Sequence, residues 1–299
     1  MEPSGLGAGF GMVSALASAL GWTLVTLVAR DLAAQFPSLS LNIIRSAGAS
    51  VLLVPVALTL GNVWSLGQVS VWAWTCLTVS VLAAIGIGDT AFFESTKSLG
   101  LGRAMTIATA GHPILASLFA LWWFGEEITA TVAVGSLVTL GGLALILSER
   151  RVETDVSREA RRRGLGLALL AALAWAVSAA LMKPPVQEID PLTIQAVRMP
   201  GSALILWATP WARGTVRTLW TQRRTVGRRV VLLSVLTAMS AVAYLSGLRY
   251  AGVTLGTVLS SVSPLFALPI GLLAFGERLT WRATMGAVLA VAGIAILSR

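Results

Sequence analysis

Charged residues are scarce in this sequence. Asp, Glu, Lys and Arg make up 12% of its 299 residues, whereas hydrophobic residues make up 56% and the mean hydropathy is +0.82. Soluble domains contain about a quarter charged residues, so a soluble fold could not cover this much apolar surface. Apolar runs of roughly 20 residues, long enough to cross about 30 Å of hydrocarbon, recur along the chain. The composition therefore excludes a soluble globular protein and indicates an integral membrane protein.

The chain also has only one cysteine and one histidine. A single cysteine, Cys76, excludes an intramolecular disulfide and a multi-cysteine metal site. The sequence contains no Walker-type phosphate loop, no His-Glu-x-x-His and no Gly-x-Ser-x-Gly, which are the signatures of nucleotide-driven and hydrolytic chemistry. We therefore predict that the protein is not an enzyme and uses no metal and no cofactor.

The net charge of +9 would indicate nucleic-acid binding in a soluble domain. Here, however, the Lys and Arg residues lie mostly in connections between apolar runs, where they set orientation and contact anionic headgroups. We therefore predict the lipid bilayer as a partner and no nucleic acid. The arginine-rich segment Arg213–Arg229 is interpreted as a solvated connection at the lipid surface, with a regulatory segment as the alternative.

Apolar windows and their breakers predict ten transmembrane helices in two sets of five. The first set runs over residues 10–33, 39–60, 70–97, 103–124 and 130–148 (helices 1 to 5), and the second over residues 165–185, 191–211, 229–249, 253–275 and 281–298 (helices 6 to 10). The charged stretch 149–163 cannot lie in hydrocarbon. It is therefore predicted to be a linker between a first five-helix unit, residues 1–148, and a second, residues 164–299.

The two units are copies of each other, because residue types that are rare in membrane helices recur in the same order. The matched pairs are Trp22 with Trp175, Arg45 with Arg198, Gly48 with Gly201, Pro113 with Pro264, Glu126 with Glu277, Thr129 with Thr280, Gly135 with Gly286 and Gly142 with Gly293. Five helices are an odd number, so the second unit must be inverted relative to the first. The predicted fold is an all-α membrane protein of ten helices in two inverted five-helix repeats, which is typical of secondary transporters.

The in-helix arginines, the prolines of helices 4 and 9, and the Gly-Glu-x-x-Thr turns at residues 125–129 and 276–280 resemble the drug/metabolite transporter superfamily, specifically proteins with two EamA-type domains. The resemblance covers nearly the whole chain. It implies a ten-helix carrier, usually an exporter of amino acids or related metabolites. It also implies a central cavity formed mainly by helices 1, 3, 4, 6, 8 and 9.

The distribution of positive charge predicts the orientation in the cell (inner) membrane. Connections 1–2, 3–4, 5–6, 7–8 and 9–10 carry most of the Lys and Arg residues, whereas the opposite face has only Lys183, Arg249 and Arg299. The positive-inside rule places the basic connections in the cytoplasm. Both termini of this multi-pass protein are then expected outside, against the common orientation of the superfamily.

Ionisable groups within the hydrocarbon usually mark a functional site or an internal pair. Asp89 follows Gly86-Ile87-Gly88 in helix 3, and His112 precedes Pro113 in helix 4. Either side chain can bind a substrate amine or carry a coupling proton. The alternatives are that Asp89 only pairs with an arginine and that His112 only caps backbone groups freed by the proline.

Further polar and aromatic residues complete the predicted site. Candidate substrate-binding residues besides Asp89 and His112 are the matched aromatics Trp22, Phe93, Trp175 and Tyr244 and the hydroxyls of Ser260 and Ser263. Arg45 and Arg198 are predicted to be architectural, either snorkelling or pairing with a neighbouring helix, with substrate contact as the alternative. Pro113 and Pro264 free backbone carbonyls and are predicted gating bends.

These features predict a secondary transporter that exports amino acids or related small metabolites by alternating access, with proton coupling as an open possibility. The alternatives are an intramembrane enzyme and a non-transporting receptor or scaffold. Neither alternative explains two inverted copies. The sequence specifies neither the identity of the substrate nor the oligomeric state.

Overall fold

A computed structural model describes residues 5–32, 35–99, 101–148, 157–275 and 280–298. Every regular element in these residues is a helix. The Glu277 turn and residues 149–156 of the predicted linker lie outside the described residues. Within the described ranges, six helices are long and apolar enough to cross a membrane, and shorter apolar helices accompany them.

The first repeat consists of five membrane helices. Helix 1 is Gly5–Leu32, helix 2 is Ser38–Leu60, helix 3 is Val71–Leu99, helix 4 is Leu101–Phe124 and helix 5 is Ala130–Ser148. A short 3-10 helix, Val63–Gln68, connects helices 2 and 3. Helix 3 is not uniform, because an α-helical start is followed by a π-helical segment, Leu82–Asp89, before α-helix resumes.

The second repeat follows the same plan. Helix 6 is Arg158–Leu181 and is followed by a short helix, Lys183–Glu188. Helix 7 is Pro191–Trp207, and a 3-10 turn, Pro210–Ala212, follows it. Helix 8 and the start of helix 9 form Thr215–Ser260, helix 9 continues as Ser263–Phe275, and helix 10 is Trp281–Leu297. Gly252 divides helices 8 and 9, because its φ of +83° is not helical. Residues 158–163 of the predicted linker belong to helix 6, whose N-terminus is capped by the Ser157 hydroxyl.

Helix 8 begins earlier than the sequence predicts. The segment Arg213–Arg229 was expected to be a connection, but the helix starts at Thr215, directly after Gly214 in the left-handed region. The reason is that Leu219 and Val226 continue the apolar stripe of the helix and pack against the cluster of helices 1 and 2. The arginines of this segment point outward and are exposed.

Contacts between connections show which helix ends share a membrane face. The backbone N–H of Asn62 donates to Asp190 at 3.2 Å, so connection 2–3 lies beside connection 6–7. On the other face, Ser40 and Thr215 hydroxyls lie 2.8 Å apart and join connections 1–2 and 7–8. Partial burial raises the pKa of the Asp190 carboxyl, but hydrogen bonds from Thr193, Asn62 and Leu192 outweigh it and hold that pKa below its usual value.

The repeats pack mainly against each other. Helix 1 packs on helix 8, and its counterpart helix 6 packs on helix 3; helices 2 and 7, and helices 5 and 10, contact each other across the same pseudo-symmetry. This arrangement leaves the space between the repeats at the centre of the molecule. Conformational change between the repeats would therefore act directly on that space.

The turn of Glu126 ties the repeats together at one face. The Glu126 carboxylate accepts hydrogen bonds from the backbone N–H groups of Val253 (3.2 Å) and Thr254 (2.8 Å), immediately after Gly252. Lys183 lies 3.6 Å from the same carboxylate. Glu126 therefore satisfies free N–H groups at the start of helix 9, where a negative charge also complements the helix dipole.

Helices 5 and 10 approach each other backbone to backbone. A Cβ atom on Gly142 would lie 2.5 Å from the amide nitrogen of Ala290 and 2.5 Å from the carbonyl oxygen of Gly286. A Cβ atom on Gly286 would lie 2.6 Å from the carbonyl oxygen of Gly142. Small residues permit this close contact, which stabilises helix pairs in membranes by van der Waals packing. The matched glycines serve packing within the chain.

We expect Gly142→Ala to destabilise the protein by about 1–3 kcal/mol, because the added methyl group meets backbone atoms that cannot move aside. Thermal unfolding of the purified protein in detergent measures the effect. Gly141→Ala is the matched control, since nothing lies within 4 Å of a Cβ atom at Gly141 and alanine favours helix over glycine. Equal melting temperatures for the two variants would contradict the close contact.

Candidate functional site

A cavity of about 210 Å³ lies between the two repeats. Every membrane helix except helices 5 and 10 contributes to its wall. The lining residues are Ser18, Trp22, Arg45, Ala84, Ile85, Asp89, Thr109, His112, Trp175, Ser178, Gln195, Arg198, Met199, Thr237, Ser240, Ala241, Tyr244, Ser260, Ser261 and Ser263. The resemblance to a known family implied helices 1, 3, 4, 6, 8 and 9, and the structure adds helices 2 and 7 through their arginines.

The structure brings the predicted substrate-binding residues together, with one exception. Trp22, Asp89, His112, Trp175, Tyr244, Ser260 and Ser263 line the cavity. Phe93 is not among the lining residues and packs in a cluster with Phe92 and Leu99. Phe93 aligns with Tyr244, but helix 3 contains the π-helical segment, which has more residues per turn than an α-helix, whereas helix 8 is α-helical at the matching positions. The alignment therefore does not place Phe93 where Tyr244 lies.

Asp89 is held at the end of the π-helical segment, between two donors. Its Oδ2 atom accepts from Nη2 of Arg45 at 2.7 Å, and its Oδ1 atom accepts from Nε1 of Trp175 at 2.9 Å. Gly88 allows the indole to come this close, because a Cβ atom there would lie 2.5 Å from Cδ1 of Trp175. Both carboxylate oxygens are thus engaged by protein donors.

Arg45 is fixed on three sides. Besides Asp89, its Nη2 atom donates to Oδ1 of Asn42 at 2.9 Å, and its guanidinium lies 5.2 Å from the ring centroid of Trp22. A buried ion pair of this kind needs such additional partners to offset desolvation. The side chain is buried in the cavity wall, away from the headgroup region that a snorkelling arginine would reach.

Arg198 occupies the matching place in helix 7 but has different partners. Its Nη2 atom donates to the hydroxyls of Ser80 at 3.3 Å and Ser178 at 3.5 Å, and these hydroxyls lie 2.8 Å from each other. The residue that aligns with Asp89 in the second repeat is Ser240, whose hydroxyl donates to the carbonyl oxygen of Ser18 at 3.0 Å. The pseudo-symmetry of the fold is therefore broken at the charged centre.

His112 lies beside the Asp89 network. Its ring meets the Trp175 ring edge to face, with the centroids 6.3 Å apart. Trp175 therefore contacts both ionisable groups of the first repeat that the sequence singled out. The arrangement places a titratable imidazole and a carboxylate against the same indole.

The two prolines of the predicted gating bends behave differently. Helix 4 continues through Pro113, whereas helix 9 is interrupted between Ser260 and Ser263, next to Pro264. Pro264 cannot donate to the Ser260 carbonyl oxygen, and the Ser263 hydroxyl contacts that oxygen at 3.4 Å instead. Only helix 9 is therefore interrupted at its proline.

Sequence reasoning missed Gln195, which lines the cavity and donates to the carbonyl oxygen of Ala241 at 2.8 Å. A signal was present in the sequence. Asn42 and Gln195 are matched amides, each three residues before a matched arginine, and residues three apart share a helix face. Thr237 and Thr109 also line the cavity, and no comparable sequence signal marks them.

Comparison with known proteins gives consistent results. A family model described as the EamA-like transporter family matches residues 9–148 and 162–299. An uncharacterized transporter from Archaeoglobus fulgidus is 22% identical over 289 residues, which cover 96% of this chain and 97% of that protein. A solved crystal structure described only as that of a protein shares the fold, with a TM-score of 0.71, 17% identity, and coverage of 96% of this chain and 95% of that chain. The predicted fold of ten membrane helices in two repeats is confirmed.

We expect Asp89→Asn to lower the free energy of unfolding by about 3 kcal/mol or more, because Arg45 would remain buried without its counter-ion. The double variant Arg45→Gln/Asp89→Asn should lose less than the sum of the single losses, since it leaves no unpaired charge. Equilibrium unfolding in detergent measures both. Glu94→Gln is the control on the same helix: its partner Lys97 is exposed, so the loss should be small. Additive losses at Arg45 and Asp89 would contradict the pairing.

Proposed function

Since this chain belongs to the EamA-like transporter family, we propose that it is a secondary carrier that exports amino acids or related small metabolites by alternating access through the central cavity. The observation that carries the proposal is the cavity itself, which lies between two related halves and is lined by polar, ionisable and aromatic side chains. Substrate sites of inverted-repeat carriers lie at this interface.

The chemistry of the cavity wall suits an amphiphilic molecule. Trp22, Trp175 and Tyr244 offer aromatic faces, which bind apolar groups and ammonium groups. The hydroxyls and guanidinium groups of the same wall offer hydrogen bonds to a polar head. An amino acid combines both kinds of group in one small molecule.

The proposed gate is the interrupted part of helix 9. Residues 261 and 262 separate its two helical parts, and Pro264 prevents a continuous hydrogen-bond ladder across the break. Thr23 of helix 1 donates to the carbonyl oxygen of Ser263 at 2.9 Å and so joins helix 1 to the break. Movement of this segment, with Pro113 as a second bending point in helix 4, would change access to Ser260 and Ser263.

Transport by purified protein in proteoliposomes tests the proposal. We expect saturable flux of at least one labelled amino acid or related metabolite, measured with and without a pH gradient, and about a tenfold lower rate for His112→Ala, equivalent to about 1.4 kcal/mol. Ile114→Ala is the control on the same helix, because its side chain is exposed to lipid. If the folded protein transports no compound of the panel, the carrier proposal is wrong.

The proposed orientation places the arginine-rich face, including Arg217, Arg223 and Arg228, in the cytoplasm and both termini outside. A reporter that is active only in the cytoplasm should then be inactive when it is fused after Arg299. The same reporter inserted after Arg213, in the connection between helices 7 and 8, should be active. The opposite pair of results would reverse the orientation.

A further inference from the structure

The two arginines of the cavity differ in what neutralises them. Arg45 makes a 2.7 Å ion pair with Asp89. Within the described ranges, the hydrogen bonds of Arg198 go to neutral hydroxyls, at 3.3 and 3.5 Å, which is longer than a strong charged hydrogen bond. Asp89 attracts Arg198 electrostatically, but its two carboxylate oxygens are bound by Arg45 and Trp175. Both arginines are buried and both line the cavity. A buried guanidinium without a counter-ion is costly, so a counter-ion from outside the protein would bind there favourably.

The charges of the cavity wall do not cancel. Its lining residues include two guanidinium groups, those of Arg45 and Arg198, and one carboxylate, that of Asp89. His112 can add positive charge but no negative charge. The cavity therefore has an excess of one positive charge or more. That excess suits a ligand group with a single negative charge, such as a carboxylate, better than a phosphate group, which carries nearly two.

Unused hydrogen-bond donors lie in the same wall. Among the described residues that line the cavity, five side-chain atoms are buried without a hydrogen-bond partner: the Nε atoms of Arg45 and Arg198, the hydroxyls of Thr237 and Ser260, and Oε1 of Gln195. Four of these five can donate, and three of the donors belong to the second repeat. Buried polar groups are normally satisfied, so such a cluster of free donors requires explanation. Free donors on helices 7, 8 and 9 that line one cavity with a guanidinium lacking its own carboxylate partner suit an anionic oxygen acceptor.

Ser240 is the reason that the counter-ion is missing. It occupies the position that Asp89 occupies in the first repeat, and its hydroxyl is used by the Ser18 carbonyl. The second repeat thus retains the arginine and lacks the carboxylate. A bound carboxylate would supply in the second repeat what Asp89 supplies in the first.

We propose that Arg198 binds the carboxylate of the transported molecule, so that the carrier selects acids and zwitterions and excludes amines and amides of the same size. This inference rests on the proposed function, because it names the substrate class of the same cavity. The planar guanidinium can hold a carboxylate with two parallel hydrogen bonds. Thr237 and Ser260 offer further donors in the wall of the same cavity.

Thermal unfolding of the purified protein tests the selectivity with matched compounds. The probes are leucine, leucinamide, 3-methylbutylamine and 4-methylpentanoate, and the corresponding set of phenylalanine, phenylalaninamide, phenethylamine and 3-phenylpropanoate. A ligand that binds the folded state raises its melting temperature. We expect at least one carboxylate of either set to do so, and its amide and amine to bind at least tenfold more weakly. If no carboxylate raises the melting temperature, or if the amides or amines bind equally well, the proposal is wrong.

Two kinds of variant assign the effect to Arg198. Arg198→Gln should weaken carboxylate binding at least tenfold. Arg198→Lys should weaken it less, because lysine keeps the positive charge but cannot donate two parallel hydrogen bonds. Arg249→Gln is the control, because Arg249 lies outside the cavity lining and donates to the carbonyl oxygen of Ile189. Carboxylate binding that is unchanged in Arg198→Gln overturns the assignment.

Ser240→Asp places a carboxylate at the position that lacks one and leaves Arg198 in place. This variant tests the proposal even if Arg198→Gln does not fold. The new carboxylate should compete with the ligand, so carboxylates should bind at least tenfold more weakly to Ser240→Asp than to Ser240→Asn, which has the same size and no charge. Equal binding by these two variants overturns the proposal. If carboxylates bind but are not transported, the carrier proposal is wrong and the assignment of Arg198 stands. If acids are transported at the same rate by Arg198→Gln and the unchanged protein, the assignment of Arg198 is wrong and the carrier proposal stands.

Discussion

A guanidinium group placed between membrane helices needs a counter-ion from the protein or from a bound ligand, because the hydrocarbon offers neither water nor charge. In this protein the Arg45–Asp89 pair meets that requirement. It fixes the contact between helices 2 and 3, and through Trp175 it includes helix 6 of the other repeat. The π-helical segment and Gly88 are the local conditions that let Asp89 reach both partners. The rest of the cavity is arranged around this pair.

The duplicated fold makes the unpaired arginine conspicuous. Two repeats of one ancestral pattern place Arg45 and Arg198 at equivalent positions, so each would require the same neutralisation. Among the described residues that line the cavity, the acid comes from the first repeat, as Asp89. The wall of the second repeat provides hydroxyls, which can donate to an anion but carry no charge. The two repeats have the same fold but different charges, so the positive charge of Arg198 lacks a carboxylate partner of its own in the second repeat.

Two further constraints keep this centre in place. Helices 5 and 10 contact each other through glycines and take no part in the cavity wall, so the pair stabilises the scaffold without limiting the space at the centre. At one face, Glu126 caps the start of helix 9 just after Gly252. The cap holds the first part of helix 9, and the break beyond Ser260 separates that part from Ser263–Phe275.

The number of helices, most of their approximate ends and their duplication could be predicted from the sequence, because hydrophobic runs and matched Trp, Arg and Pro residues depend only on local composition and order. Nine of the twenty lining residues could also be predicted, since rare polar and aromatic residues in apolar helices tend to face the interior. The position of Phe93 outside the cavity wall could not be predicted, because the π-helical segment Leu82–Asp89 interrupts the α-helical register that the alignment with helix 8 assumes. Tertiary structure also decided that helix 8 begins at Thr215, where packing against helix 1 outweighs the local arginine content. Above all, only the structure distinguished Arg45 from Arg198: the residues are equivalent in sequence, and the distance to a carboxylate separates them.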